Sequence, residues 1–206
     1  MHISDDFLEP HEVALSEQFI ANGYVILPVE NLAGLDRVRE ATASLVSTKL
    51  GLAAPNESGA FLDQIADHVS VDVLNDLRLA VISGLNDQPW LHTTYFSLAM
   101  DALRILVGNE LAMQRRINLS IQLPNDDSSL LPVHADVWSG DSPFEVVVWL
   151  PLVDCHDTKS MYLVSPKRNA EIQDNIASFK NKNSEDLFAA IESDAHFLDI
   201  AYGNVL

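Results

Sequence analysis

Hydrophobic and polar positions along the chain change rhythm once. Over the first 110 residues the spacing is helical. Val13, Leu15, Phe19 and Ile20 mark a helix from Pro10 to Asn22 that stops at Asn22-Gly23. Tyr24–Pro28 reads as a short strand. Leu35, Val38, Ala41, Leu45 and Val46 then give an amphipathic helix running to about Leu50. After a loop over 51–60, short helices are predicted over Phe61–Ser70 and Val71–Ser83. A break at Gly84–Pro89 precedes a longer helix over His92–Val107, closed by Gly108-Asn109.

Beyond residue 110 the period becomes two. Arg116–Leu123 (RINLSIQL) alternates apolar and polar side chains, as a half-buried strand does. Pro124–Ser129 is a polar turn. Further short strands are predicted over Leu131–Val137, Phe144–Leu150 and Ser160–Val164. Residues 167–193 return to a polar helical pattern, and Phe197–Leu206 to strand. Helices first and strands after predict an α+β chain, one domain over 1–206 that is mainly helical to 110 and mainly β from 111, with the β half a single curled or sandwiched sheet.

Composition narrows the function classes. The 206 residues are 48% hydrophobic and 20% charged, suited to a folded core. Twelve Lys+Arg stand against thirty Asp+Glu, a formal charge of −18, which repels nucleic-acid phosphates and anionic membranes. The lone Cys155 leaves neither an intrachain disulfide nor a cysteine-built zinc site, and it has no neighbour that marks it as a nucleophile. MHISDDFLEPHE lacks the basic and apolar regions of a signal peptide, and no apolar run reaches the about 18 residues of a membrane span. A soluble, cytoplasmic protein is expected.

Of seven histidines, His2, His11, His68 and His92 read as surface or capping residues. His134 differs. It lies in Leu131-Pro132-Val133-His134-Ala135-Asp136-Val137-Trp138, two positions before a carboxylate. On a strand these two side chains share a face and converge, as two-thirds of a facial metal triad do. The competing reading is a His–Asp hydrogen bond at a strand end. Asp126-Asp127-Ser128-Ser129 reads as an acidic turn before a cation site, and Asp154, His156 and Asp157 as a solvated loop before a second metal cluster.

The order of these features resembles the phytanoyl-CoA dioxygenase family of iron(II)- and 2-oxoglutarate-dependent oxygenases. The features are opening helices, Asn22-Gly23-Tyr24-Val25-Ile26-Leu27-Pro28, the His134–Asp136 pair, the strand ending in Val146-Val147-Val148-Trp149, and Met161–Arg168. More narrowly, SSLLPVHADVWSGDSPFEVVVWLPLVDC is similar to a branch from bacterial carbohydrate-biosynthesis clusters. Ser165-Pro166-Lys167-Arg168 departs from the family's Pro-Gly-Ser-His segment.

The resemblance implies a helical N-terminal half packed on a double-stranded β-helix of jelly-roll or cupin-like type, incomplete at the C-terminus. It implies Fe(II) as metal and 2-oxoglutarate as cosubstrate, with a small-molecule or sugar-derived metabolite as substrate. His134 and Asp136 become the first two iron ligands. Trp149 takes a 2-oxoglutarate contact, with a core tryptophan as its other reading. Asn118 and Gln122, on one face of their strand, become donors to the cosubstrate carboxylate, while Trp138 and Asp141 line the substrate mouth.

The family's third ligand and its carboxylate-clamping Arg follow a lead-in matched by Ala201-Tyr202-Gly203-Asn204-Val205-Leu206, after which the sequence stops. His196 precedes that lead-in, and Lys167 and Arg168 belong to another element, so none replaces them well. The expectation is a truncated, inactive or impaired oxygenase whose unpaired sheet edge invites a homodimer. The alternatives are a non-catalytic ligand-binding or interaction module on the same fold and, more weakly, a cupin-type metal protein.

Overall fold

The computed structural model describes residues 7–206; His2 lies outside them. Eight α-helices and four short strands follow one another among the described residues.

The first helix, α1 (Pro10–Asn22), starts with Pro10 at a position where its missing N–H costs nothing. The Glu9 N–H donates to Glu12 Oε2 at 2.7 Å. Gly23 ends the helix at φ 80°, a left-handed conformation that favours glycine. Leu27–Pro28 forms β1, shorter than the strand predicted over Tyr24–Pro28. The second helix, α2 (Leu32–Leu50), begins three residues before the predicted Leu35, because the Asn31 side chain accepts the Gly34 N–H at 2.9 Å. Then come α3 (Ser58–Asp63), a 3-10 turn at Ile65–Asp67 and α4 (Val71–Asn86).

Helices α2 and α4 pack together over Val38, Val46, Leu74, Leu77, Val81 and Leu85, the main core of the molecule. Gly84 permits their close approach: a Cβ there would stand 2.6 Å from Leu45 Cδ2.

The single helix predicted over His92–Val107 is two, α5 (Leu91–Phe96) and α6 (Met100–Val107). The break has a distant cause. The Leu98 carbonyl accepts the Glu30 N–H at 3.0 Å, and Glu30 Oε1 accepts the N–H groups of Asp101 (2.8 Å) and Ala102 (3.3 Å). A carboxylate from before α2 thus caps α6 and meets the positive end of its dipole.

Arg116–Leu123 realises its alternation outside the two sheets found among the described residues. Ile117 and Leu123 are buried, and Leu119 and Ile121 pack beside them on the helical core, while Asn118 and Gln122 face outward. Asn86 holds the start of this segment, its side chain bonding both the N–H and the carbonyl of Ile117.

The strands predicted over Leu131–Val137 and Phe144–Leu150 do not form ladders. Asp136–Ser139 is a 3-10 turn, and Phe144 and Val147 are exposed. Ser160–Val164 holds β2 (Met161–Leu163). The polar insertion holds α7 (Pro166–Asp174) and α8 (Ser184–Ile191). The last predicted strand divides into β3 (His196–Leu198) and β4 (Asn204–Val205).

Strand pairing is antiparallel: β1 with β4 and β2 with β3. One ribbon links them. Trp149 and Leu206 exchange two backbone hydrogen bonds, and Cys155 pairs with Ile200 in the same register. Between Cys155–Ile200 and Met161–Leu198 one strand advances six residues while the other retreats two. The surplus is taken up by the 3-10 turn Asp157–Lys159. The C-terminal strand therefore lies between β1 and the Trp149 segment.

The α+β composition expected from the sequence is present. Among the described residues these pairs do not assemble into a jelly roll, and a second, small apolar cluster of Ile172, Leu187 and Ile191 sits apart from the main core. No helix among them is long and apolar enough to cross a membrane.

Candidate metal centre

His134 and Asp136 meet, although not on a strand. The residue between them, Ala135, is extended (φ −126°, ψ 136°), which turns both side chains to one side. Asp136 opens the 3-10 turn that Gly140 ends at φ 101°. His134 Nε2 stands 3.5 Å from Asp136 Oδ1, with both side chains about half exposed.

His134 Nδ1 lies 2.7 Å from the Pro132 carbonyl oxygen. A carbonyl only accepts, so Nδ1 carries the hydrogen and Nε2 of the neutral ring presents its lone pair to a carboxylate. Two acceptors facing each other are filled by a proton or by a cation. Anchoring the far ring nitrogen on a backbone carbonyl is also how metal-ligating histidines are held. For bonds of about 2.1 Å to a first-row divalent ion, two donors stand about 3.0 Å apart at a right angle and about 3.4 Å apart at the tetrahedral angle. The observed 3.5 Å lies just beyond both, so a small approach of the two side chains would bring them to the separation of two ligands on one ion.

The surroundings are negative. The Asp141 N–H donates to the Asp136 carbonyl at 3.3 Å, closing the turn. The Glu145 carboxyl is pushed above the usual carboxylate range by desolvation and then by the charges of Asp141 and Asp136. Among the described residues no Lys or Arg lies within ion-pair distance of these three acids. Trp138, within the turn and exposed, donates from Nε1 to Gln173 Oε1 at 3.3 Å.

The other expected site residues stand elsewhere. Trp149 is half-buried and tied by its backbone to Leu206; the preceding Val148 carbonyl accepts the Tyr95 hydroxyl at 2.8 Å. Asn118 and Gln122 do share one exposed face. No hydrogen bond or ion pair joins Trp149, Asn118 or Gln122 to the His134–Asp136 pair.

Arg168 is committed to Glu171 (3.1 Å), the Ala190 carbonyl (3.1 Å) and Asp194 (2.9 Å). His196 lies on β3 opposite Leu163 and lines a cavity of about 120 Å³ with Tyr24 and Ser165. Asp154 accepts the Tyr202 N–H, while His156 bonds Asp157 in exposed solvent, so these three do not converge. Asp126 accepts from Ser128 within its own turn. Among the described residues no three His, Cys, Asp or Glu side chains gather as a metal cage.

Pro132, Gln173 and Tyr95 carry no sequence signal of their own. Gln173 is 35 positions from Trp138 and Tyr95 is 53 from Val148. No family model, curated protein or solved structure matches the chain.

Proposed function

We propose that this chain carries the metal-binding body of an Fe(II)- and 2-oxoglutarate-dependent oxygenase acting on a small-molecule or sugar-derived metabolite. The observation that carries the reading is the His134–Asp136 pair, with Nδ1 held by the Pro132 carbonyl and Nε2 turned to the carboxylate. His134 and Asp136 would hold the iron, which supplies dioxygen activation coupled to decarboxylation of 2-oxoglutarate.

The amides of Asn118 and Gln122 suit carboxylate oxygens, and the Trp149 ring offers a flat wall. The exposed Trp138 and the carboxylate of Asp141 flank the metal pair as the substrate mouth. The antiparallel ribbon from Trp149 to Leu206 is the kind of pairing from which a double-stranded β-helix is built. With two ligands among the described residues, a metal would be held weakly and turnover would be low. The exposed apolar side chains of Phe144 and Val147 are where two copies would associate.

The test is anaerobic Fe(II) titration with and without 2-oxoglutarate, followed by succinate formation in air. Saturable binding of one metal, tightened by 2-oxoglutarate and abolished by His134→Ala or Asp136→Ala, supports the oxygenase. Failure of the folded protein to bind Fe(II) overturns it. Binding of an organic ligand without metal would then favour a non-catalytic module on the same fold, a reading consistent with the absence of a third converging ligand among the described residues.

A further inference from the structure

The segment that carries His134 and Asp136 leans on the α7–α8 excursion on each side of the pair. Val133, just before His134, packs against the cluster of Ile172, Leu187 and Ile191; Trp138, two residues after Asp136, donates to Gln173 on α7.

The excursion is braced within itself. Met161–Leu163 and His196–Leu198 pair at its base. Ser165 Oγ caps α7 by accepting the Arg168 N–H at 3.2 Å. Asn183 and Asp186 cap α8 reciprocally, at 2.8 and 3.1 Å. Arg168 ties α7 to the end of α8 through the Ala190 carbonyl and Asp194. A unit with its own apolar cluster can open apart from the rest of a fold, and a segment packed on it is carried along.

We infer that the α7–α8 excursion sets the relative placement of His134 and Asp136, with Gln173 as a positioning residue that acts through Trp138. The inference rests on the reading of that pair as metal ligands. Val133 fixes the entry to the segment and the Trp138–Gln173 bond fixes its exit. Loss of either lets His134 Nε2 and Asp136 Oδ1 drift apart. By reciprocity, a metal that bridges the pair stabilises the excursion by the same coupling energy that the excursion lends to metal binding.

The experiment uses the full chain and Co(II) as the probe. Gln173→Ala is expected to weaken Co(II) binding about tenfold, the lower range for groups that orient metal ligands, and to change the visible Co(II) spectrum. The Trp138 indole N–H resonance, one of three in the chain, shifts and exchanges faster even without metal. Trp138→Phe removes the same bond without touching α7 and gives the same weakening, while Gln173→Glu keeps the acceptor and restores binding. In wild-type protein Co(II) slows amide exchange across Pro166–Ile191.

Wild-type binding with unchanged affinity and spectrum in both Gln173→Ala and Trp138→Phe overturns the positioning role and leaves the oxygenase reading standing. Absence of saturable Co(II) binding in the wild type overturns both.

Discussion

Replacing Tyr95 by Phe tests how the helical half holds the segment that carries Trp149. The Tyr95 hydroxyl is buried against the Val148 carbonyl, to which it donates at 2.8 Å. Phe keeps the ring and deletes only the donor, so no large cavity forms. The Val148 carbonyl then loses its partner, and a buried acceptor left unsatisfied costs about 1–3 kcal/mol. Val148 is only half-buried, so water recovers part of that, and a loss of about 1–2 kcal/mol is expected. At this chain length each kcal/mol moves Tm by about 2–4 °C.

Alkaline pH supplies an independent readout of the same bond. Burial raises the Tyr95 pKa above its ordinary value of 10.0, so the folded protein keeps a proton that the unfolded chain releases. The contribution is complete below pH 10 and is lost as pH climbs beyond it. The slope approaches about 1.4 kcal/mol per pH unit for one proton. Tyr202, raised by burial and by its bond to Asp36, adds a similar dependence that the variant leaves intact. Urea unfolding at neutral pH and across the alkaline range, followed by tryptophan fluorescence, measures both effects. Equal neutral stability and an equal alkaline slope in Tyr95→Phe would refute the reasoning.

Other outcomes are expected from single contacts. Glu30→Ala removes the carboxylate that caps α6 and should lower unfolding free energy by about 1 kcal/mol, whereas Glu30→Gln, which keeps an acceptor, should cost less; urea midpoints decide it. Gly34→Ala sets two effects against each other. Ala improves helix propensity by up to about 1 kcal/mol, but its Cβ would stand 2.7 Å from Asn31 Nδ2 and 2.9 Å from Thr94 Cγ2, displacing the α2 cap. The steric cost of about 1–3 kcal/mol for overpacking wins, and a stabilised variant in thermal unfolding would contradict this. Analytical ultracentrifugation should show self-association that Val147→Lys weakens, since Val147 is an exposed apolar residue two positions before the Trp149–Leu206 pairing; a monomer at all concentrations would remove the homodimer.

Helix α1 is readable to the residue because its start and stop signals, Pro10 and Asn22-Gly23, lie at its own two ends. The split of the predicted His92–Val107 helix was not, because the group that makes it, Glu30, is about seventy positions away. That His134 and Asp136 face the same side belongs with the readable features: it needs one extended residue between them, and Ala135 supplies it. The moorings of the pair, Val133 on the satellite cluster and Trp138 on Gln173, depend on how the insertion folds back, which no local pattern records.

Arg116–Leu123 shows where the limit falls within a single segment. Alternation of period two states that one face is apolar and must be covered. It says nothing of what lies at the edges, because edge bonding is made by backbone groups common to every residue. Here the apolar face is covered by helices rather than by a second sheet layer, so the alternation is satisfied while the ladder is not formed. The same holds for the outward face: Asn118 and Gln122 are placed together by the period alone, but their distance from His134 and Asp136 depends on a strand partner that alternation does not specify. What the pattern does determine is the side from which a ligand would reach them, since it leaves the amides on the solvent face and the aliphatic groups on the core.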